Sequence, residues 1–260
     1  MSLQRPYVDV ADGQSVVQSL VRAVGIVAGG FLVLVLLQTL VFQLAGITSA
    51  EQLRQQPGLY ALMSGLPGLS FVLAALGYVR VRDDWTLFSV GRPTKRDVGW
   101  ILLGFVVLAA VNQVMSVVLA VLSSLLSELF DVTVSAGQNT VVELMQANPE
   151  AIFYLIPVTL LFVAPGEELL FRGVVQGLLR RSLGVVPGIV GASVIFGGIH
   201  VVSIGSGDAW TYVLVATVLG LVLGTVYEYT ENLVVPTVIH ALWNTSLFLY
   251  VYYQVTGGSL

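Results

Sequence analysis

The chain has 260 residues, of which 56% are hydrophobic and only 10% are charged, and its formal net charge is −4. Water-soluble domains carry about a quarter charged residues, so this composition excludes a water-soluble globule and predicts an all-α, polytopic membrane protein in contact with the lipid bilayer. The acidic balance offers no surface for nucleic acid, and the absence of cysteine excludes disulfides and a cysteine nucleophile.

Seven apolar segments are long enough to cross a bilayer, because a spanning helix needs about 20 mostly apolar residues. They cover residues 21–45, 58–79, 98–127, 151–181, 185–203, 209–229 and 232–253. The third and fourth segments are long enough to contain a break or an interfacial turn. The sequence therefore predicts a transmembrane helical bundle with seven or eight spans.

Charge between the spans predicts how the chain is oriented. The loop after the second span is basic, with Arg80, Arg82, Arg92, Lys95 and Arg96. The loop 128–150 carries four acidic residues and no Lys or Arg. By the positive-inside rule the first loop is cytoplasmic and the second is external. We expect a multi-pass protein of a prokaryotic cell membrane.

The fourth span contains charged residues, in the stretch APGEELLFRGVVQGLLRR from Ala164 to Arg181. A charge at the bilayer centre costs about 2.5–3.5 kcal/mol, so Glu167, Glu168 and Arg172 need compensation. On a helix Glu168 and Arg172 share one face and are expected to form an ion pair, which leaves Glu167 without that partner. Acids in a first helical turn at the interface would be unremarkable, but a helix broken at Pro165 would place them at depth.

The only two histidines also fall inside predicted spans, in FGGIH ending at His200 and in HALWN from His240 to Asn244. A glutamate in an apolar pocket can act as a general base with an imidazole beside it, and a histidine with an asparagine can supply donors to an oxyanion. Glu167, His200 and His240 would equally suit a divalent metal such as zinc. The residues themselves leave these two alternatives open.

At these positions the chain resembles the CAAX protease and bacteriocin-processing family, also called CPBP or Abi, which includes the type II CAAX prenyl endopeptidases. Its signature is Glu-Glu-x-x-x-Arg, then Phe-x-x-x-His, then His-x-x-x-Asn on successive transmembrane helices. Here these motifs read EELLFR, FGGIH and HALWN, in order and with complete spacing. The resemblance covers about residues 150–250. We interpret 150–255 as the family-like core and 1–149 as a jacket of spans and loops around it, together one membrane unit.

The resemblance implies an intramembrane endopeptidase acting on a membrane-embedded or lipidated peptide. It implies that Glu167 and His200 activate water, that His240 and Asn244 form the oxyanion site, and that Glu168 and Arg172 are a structural ion pair. Family members are often labelled metalloproteases, although a metal-free glutamate mechanism has been proposed for the prenyl endopeptidases. We favour glutamate and histidine acting without a required cofactor, with a divalent metal as the alternative.

Two other classes of function compete with hydrolysis. Intramembrane Glu, His and Arg are also typical of proton relays, as in a proton-coupled transporter. Many transporters are built from internal repeats, whereas here the ionisable residues cluster in one half of the chain. The third interpretation is a non-catalytic membrane protein that binds lipidated peptides.

Overall fold

The computed structural model describes residues 13–257. Within that range, seven helices are long and apolar enough to cross a membrane. These spans are Val16–Ala45, Pro57–Arg82, Lys95–Phe130, Pro149–Leu183, Val185–Ser203, Ala209–Thr230 and Val234–Thr256. The predicted polytopic helical bundle is confirmed, with seven spans rather than eight, and every boundary lies within five residues of its predicted place.

The first half of the chain is built mainly from long helices whose ends follow from local chemistry. Its elements are α1 (Gly13–Ala45), α2 (Ala50–Arg54), α3 (Pro57–Arg82), a 3₁₀ turn (Trp85–Leu87), α4 (Lys95–Phe130), β1 (Gln138–Asn139) and α5 (Thr140–Ala147). Thr94 and Asp97 form a reciprocal capping box that starts α4. Asp83 and Asp131 adopt left-handed backbone conformations that end α3 and α4.

The second half begins with the fourth span, which alternates α-helical and wider π-helical turns. The elements of this half are a 3₁₀ turn (Pro149–Ala151), α6 (Ile152–Val158), a π turn (Thr159–Val163), α7 (Ala164–Glu168), a π turn (Leu169–Val175), α8 (Gln176–Leu183), α9 (Val185–Ile199), a 3₁₀ turn (His200–Ser203), β2 (Ile204–Ser206), α10 (Ala209–Thr230) and α11 (Val234–Thr256). The two-residue β1 pairs antiparallel with β2, so the loop before α5 is attached to the end of α9.

The fourth span is not broken at Pro165, and that expectation was wrong. A proline in a regular helix clashes with the carbonyl four residues earlier and lacks an N–H to bond. Just before Pro165 the helix widens, and the Ala164 N–H bonds five residues back to the Thr159 carbonyl. The π turn lets the helix run on through the proline. Glu167 and Glu168 therefore lie near the middle of the span without a break.

Close backbone packing fixes α7 in the bundle. α3 packs along the fourth span, α9 packs on α10, and α4 packs against α10 and α11. A Cβ on Gly166 of α7 would collide with the backbone of Gly68 in α3, and a Cβ on Gly68 would collide with the backbone of Phe162 in the same fourth span. Small residues permit such an approach between membrane helices. Because Gly166 precedes Glu167, this contact positions the motif.

The outward faces of the helices are apolar. Leu32 and Leu36 of α1, Val106 of α4 and Leu161 of the fourth span are all exposed on the protein surface. An apolar surface of this kind is unfavourable in water and suits the hydrocarbon of a bilayer. The chain is an integral membrane protein.

Candidate active site

The predicted site residues are carried by three elements that meet inside the bundle. Glu167 lies on α7 and is 8% exposed, and His200 begins the 3₁₀ turn that follows α9. His240 and Asn244 lie one turn apart on α11, so they share a helix face. His200, His240 and Asn244 all line one cavity of about 780 Å³. Glu167 approaches this site through His240, which it faces.

α4 supplies much of the cavity wall, which the interpretation of residues 1–149 as a jacket missed. The polar residues that it contributes are Asn112, Ser116, Ser123, Ser124 and Ser127. Four of them, at 112, 116, 123 and 127, recur at the spacing of one helix face. Such a polar stripe inside an otherwise apolar span was the signal in the sequence that could have revealed the contribution of α4.

Glu168 binds two partners rather than one. Its Oε2 accepts a hydrogen bond from Nε of Arg172 at 3.1 Å, as the helical spacing predicted. Its Oε1 lies 2.9 Å from Nδ1 of His240, which is 72 residues away in sequence. A carboxylate can only accept, so the Nδ1 of His240 donates. Glu168 therefore also keeps a proton on Nδ1 of His240 and fixes the orientation of its ring.

With Nδ1 held by Glu168, His240 presents Nε2 toward Glu167. The distance between Nε2 and Oε2 of Glu167 is 3.8 Å. This exceeds the range of about 2.7–3.2 Å for a direct hydrogen bond. A water molecule or a substrate atom beside this gap can bond both groups.

His200 is oriented by the residue one turn before it. Its Nδ1 lies 2.7 Å from the carbonyl oxygen of Phe196, and the two rings meet at 4.6 Å between centroids. Because a carbonyl only accepts, Nδ1 carries the proton, and Nε2 of the neutral ring is left as an acceptor. His200 is therefore prepared to take a hydrogen bond from a water molecule.

Phe196 also covers the cation of the buried ion pair. The guanidinium carbon of Arg172 lies 4.8 Å from the centre of the Phe196 ring. Within residues 13–257, Nη1 and Nη2 of Arg172 have no hydrogen-bond partner. The ring face and the Glu168 carboxylate are the groups that offset the burial of this charge.

A metal would need ligands that converge on one point. In the part of the chain that the structure describes, no group of three or more His, Asp and Glu side chains is placed to hold a metal ion. Glu167, His200 and His240 share one region, yet they do not form a ready ligand set. We therefore derive no step through a metal, and the alternative remains a prediction for experiment.

The fold and the site define a helical membrane protein with a buried carboxylate and imidazole centre beside a cavity. Residues 149–246 match the family described as Rce1-like type II CAAX prenyl endopeptidase, which confirms the predicted resemblance for that segment. An uncharacterized protein of Bacillus subtilis strain 168, YpbD, is 34% identical over 93 residues. That match covers 36% of this chain and 43% of YpbD, less than half of the relative. No solved structure matches the chain.

Proposed function

We propose that the protein is an intramembrane endopeptidase that hydrolyses a peptide bond in a membrane-embedded or lipidated substrate, in the manner of the CAAX prenyl endopeptidases. The observation that carries this proposal is the meeting of two elements at one cavity, with a third element, α7, directly behind His240. They bring His200, His240 and Asn244 to its wall, with Glu167 facing His240. The family match over residues 149–246 supports the same class of reaction.

The first chemical step is attack by water. Glu167 takes one proton from the water while Nε2 of neutral His200 accepts a hydrogen bond from the other. The water oxygen forms a bond to the carbonyl carbon, and the carbonyl π electrons move to its oxygen. In its protonated form His240 donates through Nδ1 to Glu168 and through Nε2 to that oxyanion, with the Asn244 amide as a further donor.

The second step is collapse of the tetrahedral intermediate. The oxyanion re-forms the carbonyl as the C–N bond breaks, and Glu167 returns its proton to the departing amine nitrogen. The products are a carboxylic acid and an amine, so Glu167 and both histidines end in their starting states. Glu168 does not touch the reacting atoms in this scheme and acts by holding His240.

The cavity favours a peptide as the substrate. Its volume of about 780 Å³ lies within the usual range for ligand sites. One wall is the polar stripe of α4, which can pair with peptide N–H and C=O groups, whereas Leu219, Leu223 and Trp243 form an apolar side. Hydroxyl and amide groups beside an apolar wall suit an extended peptide with apolar side chains, or one that carries a lipid.

Cleavage by the purified full chain in nanodiscs tests the proposal, using fluorogenic peptides with and without a farnesyl group. We expect Glu167→Gln and His200→Ala to lower kcat by at least about 10²-fold, because each loses a group that handles the water. Glu150→Gln is the matched control, since Glu150 is an exposed glutamate at the start of the same span. Full cleavage by Glu167→Gln would contradict the mechanism, and binding without cleavage by the unaltered protein would favour a non-catalytic lipopeptide-binding role.

Dependence on metal is tested with the same sample. We expect activity to survive titration with a membrane-compatible zinc chelator and elemental analysis to find less than one zinc per chain. Loss of activity that added zinc restores would instead assign Glu167, His200 and His240 as metal ligands.

A further inference from the structure

Tyr212 stands in the cavity beside the predicted residues, although it belongs to none of the three motifs. It lies in the first turns of α10 and lines the cavity together with His200, His240 and Asn244. Its ring centroid is 5.9 Å from that of His200. The side chain therefore brings a phenol group to the cavity beside His200.

The hydrogen-bond partners of Tyr212 determine what its hydroxyl can do. Asn139 caps α5, because its Oδ1 accepts from the Val141 N–H at 2.9 Å. This leaves its Nδ2 to face the Tyr212 hydroxyl at 3.1 Å. An amide nitrogen only donates, so the phenol oxygen must accept. In the described structure the phenol hydrogen has no protein acceptor, which leaves it free to donate into the cavity.

The same amide also connects Tyr212 to the turn that carries His200. Nδ2 of Asn139 lies 3.2 Å from Oγ of Ser203, and that hydroxyl donates to the His200 carbonyl at 2.9 Å. One residue of the strand β1 thus orients the phenol and supports the backbone of His200. The pairing of β1 with β2 holds Asn139 beside both groups.

We propose that Tyr212 is a catalytic residue that donates its phenol hydrogen to the scissile carbonyl oxygen as the oxyanion forms, and that Asn139 is its positioning residue. The inference rests on the hydrolysis proposed above and adds a third donor to His240 and Asn244. No bond to Tyr212 forms or breaks, and its proton stays on the phenol. A donor already oriented toward developing charge stabilises the transition state more than the ground state.

The variant Tyr212→Phe removes the hydroxyl and keeps the ring. With a peptide that the unaltered protein cleaves, we expect kcat to fall by about 10²- to 10³-fold, as for loss of one oxyanion donor, while KM stays the same. Affinity for the matching peptidyl phosphonate, a tetrahedral anion, should fall in parallel. Tyr229→Phe is the matched control, because Tyr229 is an exposed tyrosine on the same helix that stacks on Trp100.

A second variant tests the orientation of the phenol without removing it. In Asn139→Asp the carboxylate still caps α5 but accepts where the amide donated, so the phenol hydrogen turns away from the cavity. We expect kcat to fall in the same direction as for Tyr212→Phe. Because the same amide also donates to Ser203, Ser203→Ala is the control for this variant. If Tyr212→Phe fails to fold, unchanged kcat in Asn139→Asp, or an equal loss of kcat in Ser203→Ala, would overturn the role of Tyr212.

The outcomes separate this inference from the proposed function. Cleavage lost in Glu167→Gln but unchanged in Tyr212→Phe would overturn the role of Tyr212 and leave the peptidase standing. Lower kcat in Tyr212→Phe with unchanged phosphonate affinity would also overturn it, because the phenol would then be orienting water. If the unaltered protein neither cleaves peptides nor binds the phosphonate, the proposed function fails and this inference fails with it.

Discussion

Two arginine–carboxylate contacts in this protein differ mainly in their surroundings. Arg172 and Glu168 meet in the interior with both side chains fully buried, whereas Arg181 and Asp84 meet at one end of the bundle with 41% and 27% exposure. The exposed pair has the better geometry, since both guanidinium Nη atoms reach the carboxylate, at 2.6 and 3.2 Å. Burial rather than geometry sets the cost of losing a partner, because an uncompensated charge is far more expensive away from water.

The largest effect on stability is expected at the interior pair. Glu168→Gln leaves the Arg172 cation buried without its carboxylate and weakens the hold on Nδ1 of His240. Breaking a buried pair in this way costs about 3–5 kcal/mol. We expect a loss of that size in the free energy of unfolding, measured by denaturant titration in mixed micelles.

The neighbouring glutamate provides the control for that variant. Glu167→Gln removes a carboxylate that has no direct hydrogen-bonded partner among residues 13–257, since His240 Nε2 is 3.8 Å away. It should therefore leave a folded and inactive protein, while Glu168→Gln gives a destabilised one. Equal stability of the two variants would show that the two glutamates do not have the separate roles proposed here.

The exposure of Glu228 lies between that of Glu168 and that of Asp84, so this carboxylate tests whether the cost of losing a partner rises with burial. Glu228 of α10 accepts hydrogen bonds from Arg180, at 3.0 and 3.2 Å, and from Gln176 at 2.9 Å. Arg180 and Glu228 are 18% and 11% exposed. Hydrogen bonds to charged groups contribute about 1.5–3 kcal/mol, so Glu228→Gln should cost an amount in that range.

The same denaturant titration measures the free energy of unfolding of Glu228→Gln, with Glu150→Gln as the exposed-glutamate control. A loss as small as that of the control would show that partial exposure already removes most of the benefit. A loss as large as that of Glu168→Gln would show that burial is not the deciding variable. Either result would contradict the graded order.

The spacing of residues along the sequence predicted side-chain contacts within one helix. Contacts between helices depend on how the helices pack, which the spacing does not show. The 3.6-residue period was enough to pair Glu168 with Arg172 and to place His240 and Asn244 on one face. No local pattern indicates that Glu168 also binds His240, because that contact joins two helices separated by 72 residues. A hydrogen bond of this kind depends on how α7 and α11 pack.

Two further features could not be predicted from the hydropathy of the spans. Averaging hydropathy along a span hides a polar stripe such as that of α4, so this part of the cavity wall was interpreted as jacket. Tyr212 was missed because an aromatic residue in an apolar span resembles packing until its partner Asn139 is known. Residues that match a motif can be proposed from the sequence alone, whereas residues that gain a contact from a distant neighbour can be proposed only once the fold is known.

The smallest effect is expected at the exposed pair, through Arg181→Ala. The guanidinium binds Asp84 and Thr86, and this contact holds the pKa of the Asp84 carboxyl below its ordinary value near 3.8. A carboxyl whose pKa is lowered by folding stabilises the protein above its unfolded pKa, and that contribution is lost as the pH falls through the lowered value. Exposed pairs contribute about 0–1 kcal/mol and are screened by salt. We therefore expect Arg181→Ala to lower the thermal midpoint slightly at pH 7 and low salt, and not at all in 1 M salt or well below pH 4.

Arg181→Lys keeps the charge but loses the two-pronged contact, so its thermal midpoint should lie between those of the unaltered protein and Arg181→Ala. A large loss that persists in 1 M salt would mean that Arg181 acts through the packing of its side chain at the end of α8, and the contrast with Arg172 would then be one of packing rather than of charge.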